Sequence, residues 1–213
     1  GFLGEDLFFV ISGYVITNSI SKSLKSKSFS FLNFYLKRAR RILPALLLVL
    51  LTSLIIATVI LLTADLKRFS ESLLSSIGFV SNFYFWLTGG YFSTNDQLKP
   101  LLHLWSLAVE EQFYLFFPIF LFVIFKIFKE FKYYLLGIII VSILSFYLNI
   151  YFLSNSDTVF FLFPFRIWQF GIGAALALCP SLVIKNIWLD TLYLFFALFL
   201  IFINFLLILD FIP

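Results

Sequence analysis

Seven apolar runs, near 7–20, 43–63, 70–88, 104–125, 134–153, 159–179 and 187–209, decide what this chain can fold into. Most approach the roughly 20 residues a helix needs to cross a hydrocarbon core about 30 Å thick. In lipid every backbone N–H and C=O must be satisfied internally, which leaves helices and closed barrels. A barrel strand alternates apolar and polar side chains, whereas these runs are continuous, so a barrel is excluded. Charged residues make up 12% of the 213 positions, about half the share of a soluble domain. The expected fold is therefore all-α: a polytopic transmembrane helix bundle of about six to seven membrane segments. No fixed-period repeat or Pro/Ser linker divides it, so residues 1–213 read as one domain.

Composition adds little beyond this. The 32 phenylalanines say nothing of function, because lipid-facing positions accept any large apolar side chain. Cys179 stands alone, which excludes an internal disulfide and fits an apolar helix surface. The formal charge of +4 is not a nucleic-acid signal, since the basic residues are confined to loops. The chain starts inside a motif at Gly1 and stops at Pro213 just past an apolar run, ends expected of a fragment.

Basic loops orient the segments. Lys22, Lys25, Lys27, Lys37, Arg38, Arg40 and Arg41 lie between the first two runs with no acid among them, so this stretch is expected in the cytoplasm. Lys126, Lys129, Glu130 and Lys132 form a second net-basic loop on the same side, and the loop at 154–158, carrying Asp157, is expected outside. An odd number of crossings must then separate the two basic loops, although two runs occupy the interval. Run 70–88 is the one expected not to span. It begins among Lys67, Arg68, Ser70, Glu71 and Ser72 and ends at Gly89-Gly90, polarity that a re-entrant segment buried against protein tolerates.

Charges inside such runs cost about 2.5–3.5 kcal/mol on insertion scales and so accompany a partner or a task. Asp6, Glu110, Glu111 and Arg166 are of this kind. In the stretch from His103 to Tyr114, helical spacing puts His103, Ser106, Glu110 and Tyr114 at i, i+3, i+7 and i+11 on one stripe, with Glu111 turned by about 100°. Four polar groups on one stripe point to a functional wall more than to a ladder gluing helices. Ser12 and Gly13 read as a narrow surface for a close helix contact, and Gly171 and Gly173 as allowing another. Lys37, Arg38, Arg40 and Arg41 precede an apolar helix expected to open near Pro44; they serve either as a positive-inside anchor or as phosphate ligands, since guanidinium forks bind phosphate bidentately.

Four segments then occur in a telling order. They are Gly1-Phe-Leu-Gly-Glu-Asp-Leu-Phe-Phe-Val-Ile-Ser-Gly-Tyr-Val-Ile-Thr17, Phe34-Tyr-Leu-Lys-Arg-Ala-Arg-Arg-Ile-Leu-Pro44, Ser81-Asn-Phe-Tyr-Phe-Trp86 and His103-Leu-Trp-Ser-Leu-Ala-Val-Glu-Glu-Gln-Phe-Tyr114. Together they closely resemble the acyltransferase-3 family of bacterial membrane O-acyltransferases, and Arg166-Ile-Trp-Gln-Phe-Gly-Ile-Gly173 looks like its next landmark.

The resemblance implies an enzyme of the bacterial inner membrane. It would move an acyl group, usually acetyl from acetyl-CoA, onto a hydroxyl of a cell-envelope carbohydrate or glycolipid. The family's Arg-x-x-Arg pair maps onto Arg38 and Arg41, within a cofactor arm that also carries Lys37 and Arg40, and its acidic helix motif maps onto Glu110 and Glu111. His103, Asp6 and Arg166 join them in supporting roles. The family's proposed catalytic histidine lies on a helix ahead of Gly1, so the isolated piece is expected to be inactive, and no metal is expected. Gln169 departs from the family, which usually shows Glu there. The rival readings are a carrier or flippase of a sugar or lipid intermediate, and a non-catalytic remnant.

Overall fold

The computed structural model describes residues 2–89, 99–128 and 131–179, and run 187–209 lies outside them. The described elements are helical: α1 (Phe2–Lys25), α2 (Phe31–Ile60), α3 (Thr63–Ile77), α4 (Ser81–Leu87), α5 (Leu104–Phe128), α6 (Phe131–Tyr151), α7 (Ser156–Phe161), a 3₁₀ turn (Phe163–Phe165) and α8 (Ile167–Leu178). Among the described residues four helices are long and apolar enough to cross a membrane, Gly4–Lys25, Phe31–Ile60, Leu104–Phe128 and Lys132–Tyr151. The all-α bundle expected from the apolar runs is what forms.

Three runs differ in detail. Run 70–88 is not one helix, because it breaks at Gly78–Val80 into α3 and α4, of 15 and 7 residues, each too short to cross alone. Run 159–179 breaks as well. Pro164 lacks the N–H that a continuing helix needs, so the chain makes a 3₁₀ turn there and α8 restarts with 12 residues, roughly 18 Å. The second helix opens earlier than expected, at Phe31, with the Ser30 side chain accepting from the Asn33 N–H. Leu, Lys, Arg and Ala favour helix over this stretch, and Pro44 is carried inside it. The basic arm is therefore helical, which fixes where each cation points.

Contacts along the helices give their directions. Phe9 meets Trp105 and Ser12 meets Glu110, so α1 and α5 run parallel. Tyr35 bonds the Leu115 carbonyl, while Leu46 clusters with Leu104, so α2 runs antiparallel to α5. The Phe29 and Phe31 rings meet the Phe122 ring tilted and edge-on, with centroids at 6.4 and 5.2 Å, which brings the turn between α1 and α2 beside the C-terminal half of α5. The basic stretch after α1 and Lys126 in the last turn of α5 consequently share one end of the bundle. α3 and α4 leave from and return to the opposite end, where Ser81 Oγ donates to the Leu104 carbonyl, in keeping with a run that does not span.

Apolar burial cannot by itself drive helices together in lipid, so close packing and hydrogen bonds must. Phe9, Phe170, Phe113 and Phe117 form a stacked column with centroid spacings of 4.6, 4.2 and 4.4 Å, tying α1, α8 and α5. Gly13 and Gly173 let α1 and α8 approach until each backbone touches the other. Asn82 joins three elements, donating to the Phe161 carbonyl at 3.1 Å and accepting from Gln112 at 3.0 Å. The landmark Ser81–Trp86 is thus a bracket that holds α5 against α7.

Candidate active site

A cleft of about 440 Å³ opens between α1, α2 and α5. Its apolar walls come from residues such as Phe8, Ile11, Val15, Leu46 and Val49, and its polar lining is Ser12, Arg38, Arg41, His103, Glu110 and Tyr114. Besides Leu104, the lining along α5 and the turn just before it runs His103, Leu107, Glu110, Tyr114, a spacing of i, i+4, i+7 and i+11. These positions fall within about 60° of arc at 100° per residue, and Ser106 sits on their shoulder. Ser106 does not line the cleft; its Oγ bonds the His103 carbonyl at 3.1 Å. From His103 to Tyr114 the cleft follows α5 for roughly 16 Å.

His103 is exposed, in the turn just before α5, at one mouth. Arg38, half-buried, and Arg41, exposed, at i and i+3 on α2, form the other end of the lining, whereas the exposed Lys37 and Arg40 do not line it. Tyr35 Oη donates to the Leu115 carbonyl at 3.0 Å, so the arm is pinned to α5. The Arg38 guanidinium lies 3.2 Å from the centroid of the Tyr114 ring, a cation–π contact. Its Nε and Nη2 are buried with no hydrogen-bond partner among the described residues. Two oriented donors without acceptors suit an anionic or carbonyl ligand.

Glu110 is 4% exposed and accepts from Ser12 Oγ on α1 and from Tyr114 Oη one turn along α5. Arg38 is within electrostatic reach of both Glu110 and Glu111. Glu111 does not line the cleft, and its Oε1 is buried without a partner among the described residues.

Asp6 and Arg166 form a separate centre, since neither lines the cleft. Asp6 Oδ1 accepts from Arg166 Nη1 and from Gln169 Nε2, both at 2.8 Å. Arg166 Nε donates to the Phe160 carbonyl at 3.0 Å, and its guanidinium faces the Phe160 and Trp105 rings at 4.9 and 5.6 Å. Arg166 thus has a partner and is not a cation snorkelling to an interface. An acid at position 169 would set another carboxylate against Asp6; the Gln169 amide donates to Asp6 instead, and Glu5 also lies within electrostatic reach of Arg166. Asp6→Ala is expected to lower the thermal stability of the detergent-solubilised protein by about 1–3 kcal/mol. That lies below the cost of a fully unpaired buried charge because Arg166, itself 10% exposed, keeps the Phe160 carbonyl and has Glu5 within electrostatic reach. An unchanged melting curve would remove this pair from the forces holding α1 to α8.

Ser12 is the cleft residue that sequence reading did not assign to the site. As part of a small-residue pair it signalled helix contact, and nothing local shows it facing a carboxylate 98 residues away.

Known proteins place the chain in a family. An uncharacterized protein of Haemophilus influenzae is 44% identical over 116 residues, 54% of this chain and 47% of that protein. A protein of Staphylococcus aureus strain COL named "Putative O-acetyltransferase" is 38% identical over 193 residues, 87% of this chain and 32% of that protein. The peptidoglycan O-acetyltransferase OatA of Listeria monocytogenes is 40% identical over 123 residues, 57% of this chain and 20% of that protein. The chain spans about a third to a half of the length of the first two. No solved structure matches it. The family model described as "Acyltransferase domain" matches residues 1–212, and the chain belongs to this family, acyltransferase-3.

Proposed function

We propose that the protein is a membrane O-acyltransferase of the bacterial inner membrane, taking an acyl group, acetyl above all, from acyl-CoA to a hydroxyl of a cell-envelope carbohydrate. The observation that carries the reading is one cleft holding unpartnered guanidinium donors at one end and a braced carboxylate halfway along. Arg38 and Arg41 would receive the phosphates of the donor. The thioester would reach along the apolar walls toward Glu110, and the acceptor hydroxyl would enter from the His103 mouth. The basic end faces the cytoplasm in this reading, where acyl-CoA is made, and the His103 end faces outward.

In the reaction the acceptor oxygen attacks the thioester carbonyl, the C–S bond breaks and the thiol leaves. The hydroxyl proton passes to a base, which the family resemblance assigns to a histidine outside residues 1–213. Glu110 would orient the hydroxyl, and Arg38 would balance charge in a site shielded from water. The relatives named as O-acetyltransferases, one of them acting on peptidoglycan, agree with this chemistry.

The test replaces Arg38 and Arg41 together by Ala in the intact protein. Its KM for acetyl-CoA should rise by about 10- to 100-fold, the loss expected for removed charge-assisted hydrogen bonds. An unchanged KM would rule out the arm as the donor site.

A further inference from the structure

We infer that Ser12 and Tyr114 are positioning residues that clamp one oxygen of Glu110 so that its other oxygen is presented to the acceptor hydroxyl. This rests on the acyl-transfer reading of the cleft and extends it to two side chains. Ser12, Glu110 and Tyr114 are 7%, 4% and 3% exposed, as deeply buried as the apolar Ile16 and Leu46 of the same cleft wall. Both hydroxyls reach the same atom, Glu110 Oε1, and Tyr114 Oη lies 3.2 Å from Ser12 Oγ. Three oxygens therefore close a triangle. Each hydroxyl supplies one proton, and a carboxylate oxygen accepts but does not donate, so the triangle is satisfied when both protons point to Oε1.

That arrangement has a directional consequence. The lone pairs of Oε1 are committed to the clamp, and Oε2 keeps its own for whatever enters the cleft that Glu110 lines. A carboxylate anchored through one oxygen has lost the freedom to rotate, and reactions of this kind are sensitive to small misplacements. Tyr114 adds a second coupling. Its hydroxyl holds Glu110 while its ring carries the Arg38 guanidinium, so one side chain spaces the donor-side cation from the acceptor-side acid. If the triangle were merely helix glue, its loss would lower stability and the amount of folded protein, and turnover per folded molecule would be preserved.

The experiment uses the intact protein in lipid vesicles, with acetyl-CoA as donor and peptidoglycan fragments as the acceptor probe, following thiol release. Ser12→Ala and Tyr114→Phe should each lower kcat by about 10- to 100-fold, equivalent to one lost hydrogen bond to a charged group. The KM for acetyl-CoA should stay within about twofold, because Tyr114→Phe keeps the ring beneath Arg38. Ser12→Thr, which restores a hydroxyl, should recover most of the rate. Combining either loss with Glu110→Gln should add little, since all three act as one unit.

Multiplicative losses in the double variants, or full kcat in Ser12→Ala and Tyr114→Phe, would overturn the clamp. So would losses that merely track the folded fraction. Failure of the underlying reading looks different: Glu110→Gln and the Arg38/Arg41 double variant would then transfer acetyl as fast as the parent.

Discussion

Glu110→Gln is expected to reduce acyl transfer by the intact protein about 100-fold or more while the protein stays folded. The substitution conserves shape and volume, so the α5 wall and the stacked phenylalanines beside it are undisturbed. What it removes is a negative charge and an acceptor-only group. The amide must place either its oxygen or its NH₂ against the two hydroxyls of Ser12 and Tyr114. With the oxygen inward, the NH₂ faces the cleft and offers a donor where the acceptor hydroxyl needs an acceptor. With the NH₂ inward, both hydroxyls must turn away. Either way Arg38 loses one of the two acids within its electrostatic reach among the described residues and keeps Glu111. Losing a charged hydrogen-bond partner that orients the reacting hydroxyl costs about 10²–10³ in rate, as for any single positioned contact to the reacting centre. Glu111→Gln is the matched control and should fall by less, since Glu111 is outside the cleft lining. The measurement is thiol release from acetyl-CoA beside a melting curve. Near-parental turnover in folded Glu110→Gln would take this carboxylate out of the mechanism.

How much of this was legible in the sequence depends on the range of the interaction. Run length and continuity express a local requirement, a satisfied backbone in lipid, and they gave the all-α bundle directly. Break points were less visible. Pro164 lies inside a run whose apolar content looks uninterrupted, and Gly78 inside one whose polarity marked it as not spanning without showing where it would break. Pro44 misled in the other sense, because Ser30 and the intervening helix formers start α2 a full three turns earlier. The stripe on α5 was readable because helical spacing is local, although packing rotated it toward Leu107 and left Ser106 at its edge. The Arg38 and Arg41 side of the cleft followed from the motif resemblance. Contacts between distant segments had no local signature: Ser12 with Glu110, Asn82 with Gln112 and Phe161, Asp6 with Arg166. The phenylalanines show the same limit. Their abundance carried no information, yet Phe9, Phe113 and Phe170 form the buried column beside the site.

Gly173→Leu is expected to prevent α1 and α8 from packing and to abolish recovery of folded protein. A Cβ at Gly173 would press into the Val10 carbonyl and stand 2.8 Å from the Tyr14 backbone nitrogen. The reciprocal contact is as tight, with a Cβ on Gly13 meeting the Phe170 carbonyl. These neighbours are backbone atoms of continuous helices, so no rotamer change makes room and whole helices must separate. Separation would unstack Phe9 from Phe170, strain the Asp6–Arg166 pair at one end and draw Ser12 off Glu110 at the middle. Overpacking of a well-filled interior already costs about 1–3 kcal/mol where side chains can adjust, and backbone opposition exceeds that. Because lipid solvates the separated apolar faces, no hydrophobic penalty drives them back together. Gly171→Ala should be milder, since the atom it meets first is the Ser142 hydroxyl on α6. Gly78→Ala should be near neutral, with its closest new contact an ordinary 3.6 Å to Val80 Cγ2. Size-exclusion profiles and thermal melts of the four proteins in detergent would rank them in this order. A monodisperse Gly173→Leu protein melting within a few degrees of the parent would show that α1 and α8 do not need this approach.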